Sequence, residues 1–597
     1  MAPAAEDSLI RVGPLAELER QSAVVVSGRD RPIAVFVHDG HVRAVDNRCP
    51  HMGFPLHRGT VHDGLLTCHW HEARFDLASG CTFDLWADDV PAYDTRVEDG
   101  VVYVVDRPRV VEDAGYYRER LRHGLEHGIS LIQAKGLLGW RRTGADWRDI
   151  LREIAVFGGR HHDQWGEGMT LLAVVGNLLP LLSEETAYFA VLRASRQVAA
   201  DCSDAAPHRR REPLSRDGHP REQLARWMRH WVRSRHRDGT ERVLLTALAA
   251  ARDSEGSLGR VVGMAGPGLA DIVFTAASDR IYSATGHVFD FANKAFELLD
   301  VIGWDLAGDL LPLAVPPLVS GRGAEENAHW HQPVDVVGPL REAEAELDAI
   351  LERGRGRTWN DDANWKDILL GDDPAVTIGW LAEALASGAP PAELSRRVAW
   401  AAAARLARFA MSNEVGDWFN PRHTWNFANA VHQAVKRSPT AGVVRGIFHA
   451  ALSVYMDRFL NVPAARLPEK LDHLPRDLDA LRCRLLAALD RQAAVDEAAA
   501  LALRYLRLGH PAGALFDTLT LATVREDLDF HAIQALEAGV QQSHEWAGRA
   551  EVEQIVLGVV RQLAAFCPTP RADQQTATIA LRLDRGDRMY EEDAPVT

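Results

Sequence analysis

The period of the hydrophobic pattern changes once along this chain, near residue 108. Before that point, short β-branched runs at residues 24–26, 33–37 and 101–105 are punctuated by Asp39-Gly40, Asp63-Gly64 and Asp99-Gly100. β-branched side chains fit a pleated, half-buried surface, and Asp-Gly suits the positive φ angles of a two-residue hairpin turn. Residues 1–107 are therefore expected to form an all-β domain. From about Asp113 onward, Ala, Leu, Arg and Glu dominate, and apolar residues recur at helical spacing, as in residues 242–252, 391–411 and 482–508. The expected fold is multidomain: the β domain, a linker at 108–116, and a large all-α region in two halves, 117–338 and 339–597. The Pro/Gly-rich stretch 311–338 is the expected divider between the halves.

Within the helical region one pattern recurs: a His, a polar residue at i+3, and an amide or carboxylate at i+6. It is found at His127/Ser130/Gln133, His287/Asp290/Asn293, His423/Asn426/Asn429 and His531/Gln534/Glu537. A second echo relates residues 191–201 to 447–457, each ending at an Asp. The spacings are uneven, so a regular solenoid does not fit. An old duplication giving a pseudo-symmetric helical body does.

Composition narrows the class. The chain has 597 residues, 47% hydrophobic and 25% charged, with a formal net charge of −16. That balance fits a soluble globular protein and argues against a general nucleic-acid binder. The first seven residues carry no basic segment or apolar core of a signal peptide, and no apolar run is long enough to span a bilayer. Six cysteines in such a length point to a reducing, cytoplasmic setting.

The densest chemistry lies at Cys49-Pro50-His51 and, sixteen residues later, Cys68-His69-Trp70-His71. Two thiolates and two imidazoles at this spacing can hold a [2Fe–2S] cluster, with cysteine on one iron and histidine on the other. Neutral imidazoles in place of thiolates raise the reduction potential to roughly −150 to +300 mV. A Cys2His2 zinc site is the alternative, but such sites usually pair Cys with Cys and His with His. The segments 49–53 and 68–76 strongly resemble the two ligand loops of Rieske ferredoxins and Rieske-type ring-hydroxylating oxygenases, over about residues 9–105. The resemblance implies Cys49, His51, Cys68 and His71 as cluster ligands. One departure is Glu72, where the family usually has Gly. The extra loop cysteines of high-potential Rieske proteins are missing: Phe54 and His69 stand there, and Cys81 is read as a structural thiol. The expected centre is low-potential, ferredoxin-like or oxygenase-like.

In Rieske oxygenases the cluster feeds a mononuclear iron held by two His and a carboxylate. This chain lacks that signature, an Asp or Asn followed by two close His, and its helical region lacks the strands that would carry it. The repeated His127, His287, His423 and His531 are the leading substitute for a second metal, with non-haem iron as the candidate. Local alternatives are His123/Glu126/His127 on one helical face, Glu414 and Asp417 before His423, Asp527 before His531, His449, His161-His162-Asp163, and His329 with His331. Trp140, Trp165, Trp304, Trp418 and Trp425 are read as core or as an aromatic pocket for a flat substrate. No strand–GxGxxG–helix unit is found, so electrons are expected from a separate ferredoxin reductase or other donor. The His-bearing helices also look faintly similar to questin-oxidase-like proteins, helical proteins linked to oxidative cleavage of aromatic polyketides.

These readings converge on an oxygenase or related oxidase, acting with O2 on a small organic substrate, without nucleic acid or membrane partners. A homo-oligomer is compatible with them. The competing readings are an electron-transfer or redox-sensing protein with a metal-free docking domain, and a metal-independent helical enzyme with a regulatory cluster.

Overall fold

The computed structural model describes residues 8–215, 218–253, 268–360, 364–461 and 463–587. The segment read for a signal peptide, residues 1–7, lies outside them.

The β-rich beginning is observed. Strands β1 (Leu9–Pro14), β2 (Val24–Ser27), β3 (Pro32–His38), β4 (His41–Asp46), β5 (Thr60–His62), β6 (Leu65–Thr67), β7 (Arg74–Asp76), β8 (Ala92–Glu98) and β9 (Val101–Pro108) follow in order. One sheet has the order β1-β9-β8-β4-β3-β2, and a smaller one β5-β6-β7. The three Asp-Gly pairs turn β3 into β4, β5 into β6 and β8 into β9. Their Asp residues sit at φ 48°, 51° and 48°, and their Gly residues at 73°, 76° and 73°. Alternation along β3 feeds two cores. Ile33 and Val35 pack with Ala44, Val102 and Val104. Ala34 and Phe36 point the other way and pack with Cys49, Leu66, Cys68 and Phe75. The second core is the floor beneath the cysteine loops.

By contact density the chain divides into two units, residues 1–146 with 575–597, and residues 147–574. The boundaries thus differ from those expected at 107 and 338. The first unit keeps a helical hairpin, α1 (Ala114–Glu126) and α2 (Ser130–Arg142), beside the sheets. The expected linker is tied down: Glu112 pairs with Arg31 at 2.9 Å, and Asp113 caps α1 by accepting from the Tyr116 amide at 2.9 Å. The end of the C-terminal helix Ala572–Asp584 belongs to the same unit, through the Arg142–Asp584 ion pair. The stretch 311–338 is no divider. It forms short helical turns, Leu311–Ala314 and Val315–Ser320, with Leu313, Val315 and Leu318 buried. Pro312, Pro316 and Pro317 occupy first-turn positions, where a missing N–H costs nothing.

The second unit is helical. At its centre four helices pack in a ring: α3 (Glu167–Leu178), α4 (His287–Ile302), α5 (Phe419–Arg437) and α6 (Phe530–Glu545). His287, His423 and His531 meet near the starts of α4, α5 and α6. Further along, Asn177 of α3 bonds Glu297 of α4 and Glu537 of α6, ten and six residues past their histidines. The four helices therefore run parallel, and the rest of the chain serves as long crossovers between them. Among the described residues, no helix is long and apolar enough to cross a membrane.

Candidate functional site

The two cysteine loops are built alike. The Cys49 amide donates to Phe54 at 2.8 Å and the Gly53 amide to Cys49 at 2.7 Å; the Cys68 amide donates to Ala73 at 2.8 Å and the Glu72 amide to Cys68 at 3.0 Å. The residue four past each Cys is left-handed, Gly53 at φ 82° and Glu72 at φ 61°. That geometry is the physical reason a Gly suits position 72. Amides of His51 and Met52 donate to the Cys49 sulfur, and those of Trp70 and His71 to the Cys68 sulfur. The two thiols hydrogen-bond each other. This bond, with burial, pushes the Cys49 thiol well up, and the same bond with the amides brings Cys68 down to about 6.

The His51 and His71 rings lie 4.8 Å apart. Burial, helped by His71 and Lys135, pushes His51 down to about 4, so it is a neutral imidazole. Its Nδ1 is buried and without a hydrogen-bond partner. Such an orphan costs about 1–3 kcal/mol unless something accepts its lone pair. Paired sulfurs wrapped in amides, an orphaned imidazole nitrogen and a second imidazole beside it fit a two-iron cluster. His71 is exposed and packs on Trp70 at 4.7 Å, so this imidazole faces solvent. Cys81, read as a structural thiol, is exposed and unpaired.

The second constellation is in the helical unit. Ligand atoms of His287, His423 and His531 lie within 4.8 Å of one another. Each ring is held by its Nδ1: His287 by the Ala284 carbonyl at 2.7 Å, His423 by the Phe419 carbonyl at 2.6 Å, and His531 by Asp529 at 3.2 Å. Carbonyls and carboxylates only accept, so the Nδ1 atoms carry the protons. Burial, then the neighbouring His531, lowers His287 to about 4; burial, His531 and His287 lower His423 to about 3. The His287 and His423 rings, neutral and protonated at Nδ1, present bare Nε2 lone pairs. The Nε2 atoms of His287 and His531 face each other at 2.9 Å. That is the distance of a hydrogen bond when one of the two carries a proton, and equally the spacing of two nitrogens on one shared cation. Imidazole nitrogens sit about 2.1 Å from a first-row metal, which places neighbouring ligand atoms about 3 Å apart. Fixing the tautomer through the far nitrogen is the usual support of a metal-binding His.

The surroundings are specific. Asp529 caps α6, pairs with His531, and takes the buried Arg422 at 3.2 Å. Burial opposes its ionisation, but His531 and Arg422 hold it down to about 2. Glu167, first residue of α3, lies within electrostatic reach of His531; burial and then Asp201 raise it. Phe291, Phe419 and Phe530 stand around the imidazoles, with ring centres 3.8–6.5 Å from them. Ala284 and Thr285 are exposed and His287 only half-buried, so the centre reaches the surface.

The i+3 and i+6 residues form the layers below. Gln534 donates to both Asp290 oxygens at 2.7 Å, and Asn426 donates to Gln534 at 3.2 Å. One turn deeper, Lys294 lies 2.7 Å from both Glu297 and Glu537, and Asn429 exchanges hydrogen bonds with Gln541 and Gln542. Burial pushes Asp290 up to about 7, against the pull of Lys294. The recurrence in sequence is thus a stack of polar layers inside one parallel bundle.

His127 does not join it. It ends α1 in the other unit, where Gly128 at φ 66° breaks the helix before Ser130, and its Nδ1 faces the His123 carbonyl. Asp527 instead accepts from the Ala572 and Asp573 amides. Glu414 and Asp417 cap a short turn. His449 is buried against Glu344 at 2.6 Å, His161 bonds Phe157, Asp163 pairs with Arg237, and His331 with Asp335. The five tryptophans are core; Trp165, Trp304 and Trp425 satisfy their N–H on Thr170, Asp300 and Ala535. Asp529, Glu167, Phe291 and Phe530 were not singled out from sequence. An acidic N-cap two residues before His531 was the available signal for Asp529.

The Rieske [2Fe–2S] domain model matches residues 8–93. A 3-phenylpropionate/cinnamic acid dioxygenase ferredoxin subunit of Photorhabdus laumondii is 36% identical over 74 residues, 12% of this chain and 70% of that relative. A Rieske domain-containing protein of Homo sapiens is 41% identical over 66 residues, 10% of this chain; the chain spans only 40% of that relative's length. Among solved structures, a Sphingomonas yanoikuyae ferredoxin is 27% identical, matching 17% of this chain and 100% of its own, with a TM-score of 0.16.

Proposed function

Because the chain belongs to the Rieske [2Fe–2S] family, we propose that it is a Rieske-dependent oxygenase or oxidase whose second metal is held by His287, His423 and His531. Cys49, His51, Cys68 and His71 would hold the cluster, which when bound supplies single electrons. The exposed edge of His71 is suited to receive them from a separate reductase. Three neutral imidazoles suit Zn, Cu, Fe or Ni. A centre that uses electrons needs a redox metal, which leaves iron and copper as oxygen-active candidates; non-haem iron is the one proposed.

The observation that carries this reading is the convergence of bare Nε2 atoms, each ring locked through its Nδ1. The chain's own groups divide the remaining work. The helix starts gathered here bring positive dipole ends, which disfavour imidazolium and favour an anionic oxygen species or substrate. Asp529 orients His531. Glu167 can hold a proton close to the centre. Phe291, Phe419 and Phe530 offer apolar, flat surfaces, which fits a small organic substrate with an aromatic face.

Metal analysis tests the proposal. Purified protein should contain three irons and two acid-labile sulfides per chain. His287→Ala and His423→Ala should each lose one iron and all substrate-dependent oxygen uptake, while keeping the Rieske EPR signal. Two irons in the wild type, with no other metal, would sink the second centre and leave an electron-transfer protein.

A further inference from the structure

The hairpin α1–α2 lies beyond residue 93, where the family match ends, yet one of its side chains enters the first cysteine loop. The hairpin is tightly closed. A Cβ on Gly136 would stand 2.8 Å from the Leu121 backbone nitrogen, and one on Gly124 2.7 Å from that of Gln133. This fixes the direction of Lys135. Its ammonium donates to the Pro50 carbonyl, reaches the His51 carbonyl at 3.5 Å, and pairs with Asp88 at 3.0 Å. Asp88 also pairs with Arg120 of α1. All three charged groups are largely buried, with side-chain exposures of 16% for Lys135, 7% for Asp88 and 13% for Arg120.

The three buried side chains, two cations and one anion, carry a net charge of +1 against the loop that contains Cys49 and His51; Asp89, within electrostatic reach of Arg120, is exposed to solvent. Reduction adds one negative charge to a cluster. A nearby buried cation favours the reduced form, and burial limits screening by salt.

We propose that Lys135 is a positioning residue of the cluster, holding the His51 loop and raising its reduction potential, with Asp88 as the opposing charge. The proposal rests on the cluster assignment above. It makes the helical hairpin part of the redox centre rather than a spacer.

Potentiometric titration of the full-length protein, followed by EPR, tests it. Lys135→Met should shift the reduction equilibrium about three- to tenfold toward the oxidised form, tenfold being 59 mV for one electron. Lys135→Arg should restore the wild-type value. Asp88→Asn should shift it the opposite way, because the anion is removed. A merely structural clamp predicts shifts of the same sign in Lys135→Met and Asp88→Asn. That result, or an unchanged potential in Lys135→Met, would overturn the proposal. Should Asp88→Asn fail to assemble, the Met and Arg pair at position 135 decides alone. A wild type without acid-labile sulfide overturns the cluster assignment itself.

Discussion

Glu72 carries a conformational cost that its neighbours do not. An L side chain at φ 61° is strained, whereas Gly53 occupies the equivalent turn without penalty. Glu72→Gly should raise stability by about 0.5–1 kcal/mol, read as a higher urea midpoint with an unchanged EPR signal. Asp290 shows the opposite problem, a carboxyl with no route to solvent. Its ordinary value is 3.8, and burial lifts it to about 7 in the fold. Ionisation is thus disfavoured in the folded state. The contribution of Asp290 to stability is full below about pH 4 and is lost as pH rises through about 7. Asp290→Asn keeps an acceptor for Gln534 and removes that loss. Between pH 4.5 and 7 the decline in unfolding free energy should flatten by up to about 1.4 kcal/mol per pH unit. An identical slope in the variant would show that Asp290 is not the titrating group.

At the scale of elements, the start of α4 is the decisive piece. Tyr282, Ala284 and Thr285 sit at φ 43°, 49° and 54°, and Gly286 at 91°. This left-handed run turns the chain so that His287 becomes the first helical residue and its Nδ1 meets Ala284. Sequence periodicity contains no sign of it, because a β-branched Thr is a poor marker for positive φ. Gly286 is required twice over: by its φ, and because a Cβ there would stand 2.7 Å from the Phe427 Cβ. Gly286→Ala should cost about 2 kcal/mol and displace His287, seen as loss of non-cluster metal before loss of helical circular dichroism. Retained metal at wild-type affinity would mean that the turn does not position the ligand.

For the whole molecule, the division at 146 and 574 suggests a direct experiment. A fragment of residues 147–574 should fold as a helical protein and bind one metal ion per chain without sulfide. Failure to bind metal while remaining helical would place the ligands elsewhere. The β domain was legible from sequence, and so was the meeting of Cys49, His51, Cys68 and His71, because both loops are local: spacing within 49–51 and 68–71, and Asp-Gly turns, suffice to bring them together. Three of the four repeated histidines were also legible, since a polar residue every third position of an otherwise apolar helix needs a buried partner. The fourth, His127, fits the same letters but lies at a helix end, and letter spacing alone cannot tell a continuous helix from one broken at Gly128. The compact unit runs to 146 rather than 107 for a similar reason: the hydrogen bonds and ion pairs that tie α1 and α2 to the β domain join residues up to 85 apart, from Pro50 to Lys135. Local spacing therefore determined the two Cys/His loops, the strands and the helical character. The parallel bundle, the convergence of three imidazoles from positions 287, 423 and 531, and the reach of Lys135 into the cluster loop were decided by tertiary packing. The physical reason is that these contacts are set by the crossover paths between helices, over separations across which sequence periodicity carries no information.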